Sequence, residues 1–106
     1  MSRIDVQDFD NDGSIFVGPG NLALVSGFNN SASTRYLQLF DLAAPPTLGA
    51  IPKRSIIVPG VSNFSYAPSA QAAPYAVGLA WGVSSTPDTF TSAAELFWVA
   101  FEGNTQ

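Results

Sequence analysis

Between Tyr75 and Ser84 the chain reads Tyr-Ala-Val-Gly-Leu-Ala-Trp-Gly-Val-Ser, large residues at the odd positions and Ala, Gly or Ser at the even ones. A repeat of two residues marks a β-strand, because successive side chains leave opposite faces of the backbone. One face, carrying Tyr75, Val77, Leu79, Trp81 and Val83, is suited to wall a hydrophobic core. The other presents only Ala76, Gly78, Ala80, Gly82 and Ser84, so another backbone, a second sheet or a neighbouring subunit can come close.

The remaining chain follows the same strand-and-turn grammar. Leu22 to Phe28 reads as a strand, followed by the polar loop Asn29 to Ser33. Thr34 to Leu42 is apolar on both faces and therefore central, and Ala43-Ala-Pro-Pro46 ends it because two prolines cannot continue a ladder. Thr47 to Lys53 is expected to cross between sheets. Short strands follow at Ser55 to Val58 and Ser62 to Tyr66, then a Pro-rich loop from Ala67 to Pro74. After the Tyr75 strand come a Ser/Thr-rich bend, Ser85 to Ser92, and a last strand, Glu95 to Phe101. About six to eight short strands separated by Pro, Gly and Asn turns predict an all-β fold, an antiparallel β-sandwich or jelly-roll-like single domain. Residues 1 to 20 stand apart, as an acidic hairpin or extended arm bounded by Gly18-Pro19-Gly20-Asn21, which leaves residues 21 to 106 as the sandwich domain.

Composition narrows the chemistry. The chain of 106 residues has no Cys and no His, which removes the thiol nucleophile, the commonest general base and the commonest transition-metal ligand. A Ser-His-Asp or Cys-His enzyme is excluded. Charged residues are 11% of the chain, against roughly 25% in ordinary soluble domains. A surface so poor in charge points to cover by neighbours, the alternative being a neutral secreted domain coated in Ser, Thr and Asn. The net charge is -4 and lies mostly at the start, where Arg3 faces Asp5, Asp8, Asp10 and Asp12. Arg3, Arg35, Lys53 and Arg54 are too few and scattered to track phosphates, so nucleic acid is not an expected partner. The first residues lack the apolar run of a signal peptide and no stretch is long enough for a membrane helix, so an intracellular product with no membrane partner is expected.

Asp8-Phe-Asp10-Asn-Asp12-Gly13-Ser-Ile15 matches the first part of a calcium loop, with acidic oxygens at alternate positions and Gly at the turn. The twelfth position is Pro19 where a bidentate Glu should stand, so the shell needs Glu102 or a neighbouring subunit; the competing reading is an Asp-rich turn. No cofactor is expected. Asp41, Asp88, Glu95 and Glu102 show no spacing that would pair two acids for glycoside hydrolysis and read as isolated solvated carboxylates. Trp81 and Trp98 lie among apolar strand residues and read as core, whereas Phe64, Tyr66 and Tyr75 flank the Pro-rich loop as candidates for an exposed patch.

From Ser26 the order of features, Ser26-Gly-Phe-Asn-Asn-Ser-Ala-Ser-Thr-Arg-Tyr-Leu-Gln-Leu-Phe-Asp41, then Ala44-Pro-Pro-Thr-Leu-Gly49, Ile51-Pro52, Ser55 to Pro59 and Val77 to Thr86, resembles small virion structural proteins of tailed bacteriophages. The resemblance runs over residues 26 to 101 and consists of strand and turn patterns, not catalytic signatures. It implies a β-sandwich carried on a phage particle, made in the host bacterial cytoplasm and located in the virion. The first expectation is a capsid decoration or cement protein that binds the major capsid protein or other virion proteins as a small homo-oligomer, a trimer at local symmetry axes, with residues 1 to 20 as the reaching arm. The second is a tail, neck or fibre-associated module that recognises a host glycan. A small glycosidase is the third, opposed by the missing His and the unpaired acids.

Overall fold

The computed structural model describes residues 2–71, 74–93 and 96–105. They form nine strands in two antiparallel sheets and no helix, so among them no helix is long and apolar enough to cross a membrane. The strands are β1 (Ser2–Asp10), β2 (Asp12–Val17), β3 (Gly20–Asn29), β4 (Arg35–Phe40), β5 (Arg54–Val58), β6 (Ser62–Tyr66), β7 (Pro74–Tyr75), β8 (Gly78–Ser84) and β9 (Phe97–Thr105). Sheet A has the order β1-β9-β3-β6, with the short β7 also on β3, and sheet B has the order β2-β8-β4-β5. This is the β-sandwich that the alternating pattern predicts.

Alternation decides what each sheet buries. Leu22 and Val25 of β3 and Phe97, Val99 and Phe101 of β9 meet Leu37 and Leu39 of β4 and Leu79, Trp81 and Val83 of β8 in one core. Trp81 and Phe101 sit at its centre, ring centroids 5.9 Å apart. Each such side chain contributes roughly 1.5–3 kcal/mol by leaving water.

Residues 1 to 20 are no appendage, and β1 and β2 are no hairpin. β1 pairs with β9 along its whole length, from Ser2 opposite Thr105 to Asp10 opposite Phe97, while β2 crosses to the other sheet and pairs with β8. The corner is Asn11, whose carbonyl accepts the Val83 N–H at 2.9 Å. Phe16 of β2 is buried in the main core. An alternating run with Ile4, Val6 and Phe16 has apolar surface to hide, and the open sides of β9 and β8 are where the sandwich hides it.

The Tyr75 to Ser84 strand is broken in two. Tyr75 belongs to sheet A, opposite Gly20, and Gly78 begins β8 in sheet B, so the chain changes sheets at Ala76-Val77. Val77 is therefore exposed instead of lining the core. From Gly78 onward the pattern holds: Leu79, Trp81 and Val83 point inward and the small residues point outward.

What approaches that bare face is the chain itself. A Cβ on Gly82 would lie 2.5 Å from Phe90 Cε1 and 3.1 Å from Pro46 Cγ. Phe40, Ala80 and Phe90 form a second apolar cluster on the outside of sheet B, with Phe40 and Phe90 edge to face at 5.8 Å. The segment Thr47 to Lys53 does not cross between sheets, because β4 and β5 are neighbours in sheet B. It lies over the outer face, joined to the 85–92 bend by Gly49 N–H to Phe90 O at 2.9 Å and Phe90 N–H to Ala50 O at 2.8 Å. Buried Gln38 and Ser84 fasten the bend from beneath, the first donating from Nε2 to Thr86 O at 2.8 Å, the second from Oγ to Thr89 O at 3.1 Å.

Candidate functional site

The motif residues do not assemble a metal site. β1 runs through Asp10 and β2 resumes at Asp12, so the expected loop is two strands of different sheets meeting at Asn11. Asp8 lies opposite Val99 and Asp10 opposite Phe97, on the inward side of β1, while Asp12 lies opposite Gly82 on the outer face of sheet B. Asp8 and Asp10 each accept the N–H of the next residue, Phe9 at 2.9 Å and Asn11 at 2.8 Å. Among the described residues no group of three or more His, Cys, Asp or Glu could hold a metal ion. Partial burial, with the charge of Asp10 added, pushes the Asp12 carboxyl above its ordinary value. Acids on the inner side of an edge strand discourage a further strand from pairing there, which also argues against strand addition through β1.

The carboxylates are likewise dispersed, and one has a structural task. Asp41 accepts N–H bonds from Val77 at 2.8 Å and from Ala76 and Gly78 at 3.2 Å, holding the point where the chain changes sheets. Partial burial pushes its pKa up, but those three donors, with Lys53 nearby, outweigh it and hold the carboxyl below its ordinary value. Asp88 is exposed in the 85–92 bend, and Glu95 lies outside the described residues. Glu102 is on the outer face of sheet A.

The aromatic assignment holds for Trp81 and reverses for Trp98 and Tyr75. Tyr75 is buried, packed edge to face on Phe16 at 6.3 Å, with the Lys53 ammonium 4.4 Å from its ring centroid. Burial, with the charges of Tyr66 and Asp41, pushes its phenol up. Phe64 and Tyr66 are partly buried against the core. Trp81 is core, but Trp98 is 42% exposed on the outer face of sheet A. The signal was present in the sequence: Phe97, Val99 and Phe101 take the inner face of β9, which leaves Trp98 to the other.

Two surfaces remain after these assignments. On the outer face of sheet A, Phe9, Trp98 and Phe28 stand directly opposite one another across β1, β9 and β3. Phe9 is 52% exposed and Phe28 partly so. Two residues along each strand stand Gln7, Ala100 and Ser26, and beyond them Asp5, Glu102 and Leu24. These six residues, with Val6 and Phe101, line a shallow trough of about 130 Å³. Arg3 donates to Asp5 Oδ2 at 3.0 Å and to Glu102 Oε1 at 3.2 Å at its far side.

The second surface is aliphatic and lies on and beside sheet B. Leu48 and Ile51 are each 80% exposed on the loop that covers the sheet. Ile57, opposite Tyr36 on the outer face, and Val17, opposite Gly78, are exposed too, as are Leu42 and Val77 near the sheet-changing bend. The loop is held on a fixed base by its bonds to Phe90 and by Ala50 N–H to Thr47 O at 3.0 Å, and Gly49, at φ 86°, supplies the left-handed turn between the two aliphatic residues.

No protein-family model matches this chain, and neither a curated protein nor a solved structure matches it.

Proposed function

We propose that the chain is a non-enzymatic structural protein of a bacteriophage particle, a decoration or cement-type module that fastens to the major capsid protein or another virion protein through its aliphatic surface. The observation that carries this reading is the Thr47–Ile51 loop. Bonded to the chain at its base, it nonetheless offers Leu48 and Ile51 almost wholly to water. A loop tethered in this way has surrendered its conformational entropy before any partner arrives, which favours tight docking of the side chains it displays. The scarcity of charge, 11% of the chain, and the virion-protein resemblance of residues 26 to 101 support the same conclusion.

The attachment is apolar burial with little contribution from ion pairs. It does not use residues 1 to 20 as a free arm, because β1 and β2 are built into the two sheets. Small homo-oligomers, trimers at the local symmetry axes of the shell, are the expected arrangement. Mass spectrometry of particles purified from cells that make the chain tests the reading. A fixed copy ratio to the major shell protein, retained through gradient and high-salt washes, is the expected result. Particles free of the chain, with the protein left in the soluble fraction, would contradict it.

A further inference from the structure

We infer that the outer face of sheet A is a binding site for a neutral oligosaccharide, with Phe9, Trp98 and Phe28 as its stacking platform and the trough beside them as its hydrogen-bonding side. The site is distinct from the loop aromatics Phe64, Tyr66 and Tyr75, which are packed against the core, and the inference does not depend on attachment to a particle.

Three features select the ligand. The ring-bearing residues occupy adjacent strands, so their backbones are spaced about 4.8 Å apart and the row runs about 10 Å across the sheet. Lying along such a row, successive pyranose units would set their slightly positive C–H faces against the aromatic π-systems. The trough floor consists of Ala100 and Ser26, small enough to leave it open, while Gln7, Asp5 and Glu102 supply an amide and two carboxylates at its sides. Arg3 engages one oxygen of each carboxylate and holds both acids in place, so the second oxygen of each is available to accept a sugar hydroxyl. An apolar platform with a few fixed polar groups is the construction of a small-ligand site.

The same groups reject the other occupants. An apolar protein surface laid over Arg3, Asp5 and Glu102 would strip water from three charges and give nothing back. A second copy packed face to face would bring Asp5 and Glu102 of one copy against the same pair of the other, with Arg3 as the nearby countercharge in each. An anionic glycan or a nucleic acid meets the same surplus of negative charge. A neutral polyhydroxylated chain is left.

The test is a titration of the full chain with cellotetraose, maltotetraose, chitotetraose and mannotetraose, read by tryptophan emission and by saturation-transfer NMR. Trp98 is the half-exposed indole and Trp81 is fully buried, so a saturable blue shift reports on the platform. At least one tetrasaccharide is expected to bind with a millimolar or tighter dissociation constant. Trp98→Ala should weaken it by about tenfold or more, as loss of a central aromatic anchor does. Phe9→Ala and Glu102→Gln should each weaken it less, while Leu48→Asp on the opposite side leaves it unchanged. Circular dichroism confirms that each variant is folded, and Phe9→Ala carries the test by NMR if Trp98→Ala is not. Silence from all four sugars at millimolar concentration, or binding indifferent to Trp98 and Phe9, would overturn the inference. So would a concentration-dependent dimer that Trp98→Ala dissolves, which would give the face to a second copy.

Discussion

Asp41 shows how much one side chain can fix. Its carboxylate gathers three consecutive N–H groups at the place where the Tyr75 to Ser84 run is split between the two sheets. Two of the three bonds are exposed and the third is part-buried, so Asp41→Ala is expected to cost about 1 kcal/mol, near the net worth of one hydrogen bond, and urea denaturation at neutral pH measures it. The pH dependence follows from the direction of the shift. The folded pKa lies below the unfolded one, so Asp41 stabilises fully above the unfolded value and that contribution disappears as the pH falls through the folded one. Asp41→Asn should therefore lie below wild type at neutral pH and converge with it in acid. Asp12 has the opposite sign, since its folded pKa is raised by burial and by Asp10. Its ionisation disfavours the fold, so Asp12→Asn should be slightly more stable than wild type at neutral pH, with the gain vanishing below the ordinary carboxylate range. Equal acid limbs for all three proteins would remove both assignments.

Between the strands, packing has replaced what the sequence suggests a partner should do. The small residues of β8 do admit a close neighbour, but that neighbour is Phe90, swung over the sheet by the 85–92 bend. Gly82→Ala puts a methyl group into the Phe90 ring, and a loss of about 1–3 kcal/mol is expected from the overpacking. It should also loosen the Leu48–Ile51 loop, which hydrogen-bonds to Phe90, and a rise in amide exchange at Gly49 would show it. Deleting residues 1 to 20 removes β1, β2 and Phe16, exposing an edge of β9 and an edge of β8. Loss of the cooperative thermal transition is expected, and a truncated chain that melts like the whole one would refute the strand assignments. The strand positions were legible in the sequence because period-two alternation is local. The partners were not, because which strand crosses a sheet depends on contacts far apart in the chain, such as Asp41 with Val77 and Gln38 with Thr86. Trp98 is the instructive case: its flanking residues 97 and 99 showed which face it must take, but an apolar neighbourhood suggested core.

At the scale of the whole molecule the two sheets have divided their outer faces between different chemistries. Sheet B seals itself with its own loops and displays aliphatic residues on top of them; sheet A stays bare and displays rings beside a charged trough. The calcium and glycosidase readings of the sequence both needed acids brought together, and the fold keeps Asp8, Asp12, Asp41 and Asp88 on separate strands and turns. Both proposed roles lie on the exterior, and its two sides should be separable. Co-sedimentation with particles assembled without the chain, comparing wild type with Ile51→Asp and Trp98→Ala, addresses this directly. Wild type and Trp98→Ala should pellet with the particles, while Ile51→Asp stays in the supernatant although it melts like wild type. Binding by Ile51→Asp at wild-type occupancy, or its loss in Trp98→Ala alone, would contradict the account.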